Sequence, residues 1–167
     1  MIQTWSDPIP YDLSRTPHRA SVPKAFTSSV PETPGTYVIY CTGQSDLREA
    51  IIDIGETGPR ARSTPKGLRG RLATTVPHAA SERMAVDIKG GILPNKLGVV
   101  WVERPSKENA KQLQDALVTL FREEYRRQPR YNAKLESHAE PESFVPIYAA
   151  LKRHIGCLLS RPTTGCN

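Results

Sequence analysis

Two spacings alternate along the chain. Residues 36–41 are dense in β-branched and aromatic side chains and read as a strand, launched by the turn signal Pro31-Glu32-Thr33-Pro34-Gly35. Residues 50–55 form a second run, apolar on both faces except for Asp53. The short polar link 42–46 between them predicts an antiparallel pair. Residues 97–103 predict a third strand. Helical spacing fills the rest. Leu68 and Leu72 stand one turn apart and predict a helix over 68–76, which Pro77 ends or kinks. Residues 81–89 predict a second short helix. From a plausible N-cap at Ser106 a long helix runs to about Arg127, with Ala110, Leu113, Leu117, Leu120 and Phe121 on one face, and Pro129 stops it. Residues 146–159 predict another amphipathic helix, with Ile147, Leu151, Ile155 and Leu158 on one side. Residues 1–34, rich in Pro, Ser and Thr, show no sustained period and read as an extended arm. The tail from Ser160 reads as frayed.

A chain of 167 residues suits one domain with a real core. No apolar run approaches membrane-spanning length. The start, Met1-Ile2-Gln3-Thr4-Trp5, has neither a basic nor an apolar leader segment, so export is not expected. Cys41, Cys157 and Cys166 are odd in number and lack a CxxC spacing, which argues against a disulfide framework or a zinc site and for a reducing cytoplasm. The net charge of +6 gives the chain an electrostatic reason to meet phosphate backbones.

Four segments then stand out by their order. They are Gly35-Thr36-Tyr37-Val38-Ile39-Tyr40, Ile51-Ile52-Asp53-Ile54-Gly55-Glu56-Thr57, Gly67-Leu68-Arg69-Gly70-Arg71-Leu72, and Gln128-Pro129-Arg130-Tyr131-Asn132. That succession resembles the GIY-YIG nuclease domain. The resemblance covers roughly residues 34–132. It implies an α+β fold: a small three-stranded antiparallel-type sheet flanked by helices. On this division 1–34 is an arm, 35–132 the nuclease-like domain and 133–167 a C-terminal helical extension and tail. Arm and extension are expected to wrap the core or to contact DNA or a second subunit.

The resemblance also implies a pocket. Tyr37 matches the family's first tyrosine, a general base or water-positioning hydroxyl. Arg71 matches the helix arginine, which forks onto a phosphate. Asn132 matches the late asparagine that orders the pocket. Each also has an ordinary reading, as core aromatic, surface charge and turn residue. Two positions depart from the pattern. Asp53 replaces the second tyrosine, and Gln114 stands where the metal-binding glutamate is expected. A neutral amide is a poor sole protein ligand for Mg²⁺ or Mn²⁺. Asp53, Glu56 and Asp115 are the carboxylates that could compensate, Asp53 being the best placed. Arg60, Arg62, Lys66 and Arg69, with His78 at a helix end, are expected to contact DNA.

The implied function is a metal-dependent DNA endonuclease of restriction, repair or mobile-element context, weakened or silent if nothing replaces the glutamate. The alternative is a DNA-binding module that has lost its metal site on the same fold. A third reading is an immunity or toxin-related protein that reuses the fold for protein contact.

Overall fold

The computed structural model describes residues 4–57, 66–73, 79–132 and 140–160. At its centre is an antiparallel sheet of β1 (Ile9–Tyr11), β2 (Gly35–Cys41), β3 (Ile51–Thr57) and β4 (Leu97–Glu103), in the order β1-β4-β2-β3. The sheet has four strands where the sequence pattern gives three. The extra strand comes from the N-terminal arm. Pro8 and Pro10 conceal it, since proline cannot donate to a ladder. An edge strand tolerates this because only one side needs bonds, and β1 pairs with β4 alone.

Among the described residues five α-helices pack around the sheet. α1 (Leu47–Ala50) is a single turn between β2 and β3, capped where the Asp46 side chain accepts from the Arg48 amide. α2 (Gly67–Leu72) and α3 (Ala79–Lys89) cover one face, and α4 (Lys107–Tyr125) and α5 (Val145–Leu159) cover the other. The expected helix over 68–76 is described only to Leu72, and residues 74–78 lie outside the described residues. Ser106 does cap α4, its hydroxyl accepting from the Asn109 amide at 3.1 Å. The apolar stripe then does what its spacing requires: Ala110, Leu113, Leu117 and Phe121 are buried, with Leu120 at the margin. Leu151 and Ile155 of α5 join them.

Alternation along β2 divides the core in two. Tyr37, Ile39 and Cys41 point to α2 and α3, while Val38 and Tyr40 point to α4 and α5. The arm is no loose extension. Trp5, Ile9, Tyr11, Ala20, Val22 and Val30 are all buried. The Val22 amide donates to the Leu72 carbonyl and the Ala20 amide to the Ser81 carbonyl, at 2.9 and 3.0 Å, so the arm is pinned to α2 and α3 at once. In return, the carbonyls of Pro31 and Thr33 accept from the amides of Arg69 and Leu68, which have no partner inside α2. No helix among the described residues is long and apolar enough to cross a membrane.

Candidate active site

β3 carries a bulge, and the bulge sets the site. Tyr40 pairs with Ile51 and Ile39 pairs with Asp53, leaving Ile52 as the extra residue. Two residues then face one on the partner strand, which re-aims the side chains that follow. Asp53 is thereby turned to the α2/α3 face, beside Ile39 and Tyr37. Tyr37 pairs with Gly55, and its ring lies across that glycine. A methyl group at Gly55 would overlap both the ring and the hydroxyl. The glycine is therefore what lets the Tyr37 hydroxyl reach the outer edge of β3.

The electrostatics of this face are unusual for a core. Asp53 is 4% exposed, and its Oδ2 makes no hydrogen bond among the described residues. Burial pushes its carboxyl from 3.8 up to about 7, against the pull of Arg71 and Arg83. Tyr37 is raised well above the usual phenol value, first by burial and then by the Asp53 charge, while Arg71 opposes both. Tyr37 is thus a neutral phenol at physiological pH, suited to donating a hydrogen bond rather than to taking a proton. Arg71 is half-buried on α2 and Arg83 exposed on α3, so the cations stand at the mouth with the carboxyl behind them. Tyr11 from the arm, hydrogen-bonded to Ser81, feels the charges of Asp53, Arg19 and Arg71. Arg83, Tyr11 and Arg19 carry no motif and were not among the sequence candidates.

The outer side of β3 gathers the remaining candidates. Asn132 binds the strand edge with both ends of its amide. Its Oδ1 accepts from the Ile54 amide at 3.0 Å and its Nδ2 donates to the Ile54 carbonyl at 2.7 Å. It stands in for a neighbouring strand at the level of Ile54. Tyr131 extends this pairing, its amide donating to the Ile52 carbonyl.

Gln114 reaches the same level from α4. The helix is fixed near one end by Thr36, whose hydroxyl donates to the Ala110 carbonyl at 2.8 Å, and Thr36 pairs with Glu56. Just beyond its other end Arg127 binds Glu49, ahead of β3. α4 therefore runs antiparallel to β3. By helix and strand rise alone, Gln114 is about 6 Å beyond Ala110, nearly two strand residues along from the level of Glu56. Its helical position also places it between Val118 and Phe121, on the flank of α4 that turns to the β3 side through Tyr125, whose hydroxyl feels Asp46.

Glu56 points to the same α4 side of the sheet, as its pairing with Thr36 requires. Its Oε2 is buried and without a hydrogen-bond partner among the described residues, and its charge reaches the Tyr37 hydroxyl. Asp53 and Glu56 thus flank Tyr37 from opposite faces of one strand. Comparison with family models, curated proteins and solved structures finds no match to the chain.

Among the described residues no three His, Cys, Asp or Glu side chains gather as a metal-binding group. The donor chemistry at the edge nevertheless fits one hard cation: a carboxylate with an unused buried oxygen, and an amide oxygen on the adjoining helix. Glu56 fits that role better than Asp53, which shares its face with Arg71 and Arg83. Asp115 sits on the next flank of α4, 3.8 Å from Lys111.

The expected DNA-contact residues divide. Arg69 is committed to the arm: it donates to Val30 O and Glu32 Oε1, both at 2.7 Å. Its register explains the change, since Arg71 is the α2 arginine left facing the sheet edge. Lys66 is exposed at the start of α2. Arg60, Arg62 and His78 lie outside the described residues. A groove of about 480 Å³ adjoins the mouth, lined by Arg83, Asp87, Arg130 and Tyr131 among others.

Proposed function

We propose that the chain is a DNA endonuclease of the GIY-YIG type that hydrolyses phosphodiesters with Mg²⁺ or Mn²⁺ held by Glu56 and Gln114. The observation that carries this reading is the edge of β3. There Tyr37 crosses Gly55 between two carboxyl groups with unused oxygens, with Arg71 in front and Asn132 alongside. On this reading the missing helix glutamate is replaced from the strand, one position past the glycine.

The chain's own groups divide the chemistry. Arg71 forks onto the non-bridging oxygens and holds the phosphate at the mouth. Tyr37, a neutral phenol, donates to the attacking water or to the phosphate and fixes its approach. Asp53, with its carboxyl near 7, accepts the water's proton at neutral pH. The new O–P bond forms as the bond to the leaving oxygen breaks, and the leaving oxygen takes its proton from solvent. The divalent cation, when bound, neutralises charge on the phosphate and the leaving oxygen. Asn132 positions, because its amide donates to and accepts from the Ile54 backbone.

The test is plasmid nicking with Mg²⁺ or Mn²⁺. The wild type should nick, and Glu56→Gln should lose on the order of a hundredfold to a thousandfold in rate. Equal rates for the two would end the role given to Glu56. A second reading has one observation in its favour, the neutral Gln114 where the family carries its acid. It makes the chain a DNA-binding module. DNA binding with no nicking in either metal, for the wild type and for Gln114→Glu alike, would establish that reading instead.

A further inference from the structure

Arg19 is an arginine in the wrong place for a structural residue. It belongs to the arm, between Tyr11 and the segment pinned to α2 and α3. It is only 4% exposed, yet none of its three guanidinium nitrogens has a hydrogen-bond partner among the described residues. Buried arginine is ordinarily paired, because an unpaired buried charge costs several kcal/mol. Its electrical surroundings sharpen the anomaly. The groups that feel or influence its charge are Tyr11, Glu82, Arg15 and Arg71. Arg71, half-buried on α2, is a like charge among them, so two guanidiniums stand near one another. The Ser21 hydroxyl, two residues along the arm from Arg19, is buried and without a hydrogen-bond partner among the described residues as well.

We infer that Arg19 and Arg71 together form a phosphate subsite, in which the arm supplies the second cation that grips the DNA backbone. An anion between them would satisfy both guanidiniums, offset their mutual repulsion and accept from the nearby hydroxyls. The arm is then part of the binding machinery: its clasp on Leu72 and Ser81 sets the position of Arg19. The inference rests on the nuclease reading only for the identity of its ligand, a backbone phosphate rather than free phosphate.

Three measurements on the full chain test it. The first is thermal unfolding in chloride, and in phosphate at equal ionic strength. Arg19→Met, which keeps the stem and removes the charge, should raise Tm in chloride and abolish the increment that phosphate gives the wild type. The second is duplex DNA binding against salt. The same variant should bind at least about tenfold more weakly and lower the salt slope by about 0.9. The third is Arg19→Lys, which should keep that slope while losing affinity, since lysine offers a point charge without the fork. A lower Tm or failure of Arg19→Met to fold would make Arg19 structural and overturn the inference. So would an unchanged slope. A loss of the phosphate increment with the slope intact would assign the site to free phosphate and overturn the DNA assignment. A chain that shows every expected effect of Arg19 but nicks no plasmid would refute the nuclease reading and leave this subsite standing.

Discussion

On one face of the sheet, Val38, Tyr40, Ile54, Val100 and Val102 meet Leu113, Leu117, Phe121, Leu151 and Ile155. On the other, the same strands present Tyr37, Ile39 and Asp53 to Tyr11, Arg19, Ser81 and Arg71. Both faces bury most of these side chains. The first is filled mainly with apolar side chains, and Thr36, one of its buried polar groups, is satisfied by Ala110. The second hides a carboxyl and a guanidinium with unused hydrogen-bonding atoms. Burial of that kind lowers stability, and on the proposed reading an anionic ligand beside Arg19 and Arg71 offsets the cost on this face. The α4/α5 face is mainly apolar, and on the proposed reading it adds only Glu56 and Gln114 to a site whose other groups lie on the α2/α3 face.

Substitutions on the two faces should have opposite consequences. The largest effect is expected on catalysis: Arg71→Ala should reduce plasmid nicking by about a hundredfold or more while leaving the unfolding midpoint within a few degrees. A large loss of stability instead would make Arg71 a fold residue. On the apolar face the pattern should reverse. Leu117→Ala should cost about 2 to 5 kcal/mol in denaturant unfolding, with no change in the salt slope of DNA binding.

Asp53→Asn comes next, and pH gives its sign. The carboxyl is raised in the folded state from 3.8 to about 7, so the folded chain binds the proton more tightly than the unfolded one. Its contribution favours folding below about pH 4, is lost as pH rises from 4 to 7, and stays lost above. Asn removes that dependence. The variant should be more stable than wild type at pH 8, on the order of a few kcal/mol, and nearly equal at pH 4. Equal stability at both values would show that Asp53 ionises freely. The smallest effect belongs to Thr36→Val, which exchanges one satisfied hydrogen bond for apolar contact. About 1 kcal/mol is expected in denaturant unfolding, with no dependence on pH. A larger or pH-dependent cost would show that the α4/α5 face too relies on its polar groups.

How far the sequence carries depends on how local each signal is. The strand at Leu97–Glu103 and the cap and stripe of α4 follow from runs and spacing within a few residues. Asp53 stands out as the one polar residue in the apolar run 50–55, and the structure buries it on the same face as Tyr37. The bulge at Ile52 that aims it is not visible in the pattern, because pairing register is a property of two strands together. β1 is three residues long and holds a proline, and α1 is one turn, so neither can show a period. Arg19 is harder still. Nothing in a Pro-, Ser- and Thr-rich segment announces a buried arginine; the only available signal is the scatter of Trp5, Ile9, Tyr11 and Val22 through it, apolar residues that a free arm would not need. Gln114 and Asn132 follow from the resemblance alone; the structure shows the Asn132 amide on Ile54 and Gln114 half-buried on α4.

The account turns on an ionisable carboxyl acting beside a phosphate, and the pH dependence of plasmid nicking reads it directly. With Mg²⁺ saturating, the wild-type rate should rise through about pH 7 and level off as Asp53 loses its proton. Asp53→Asn should be slower by about a hundredfold or more and lack that rise. A variant that nicks at the wild-type rate with the same pH profile would contradict the account.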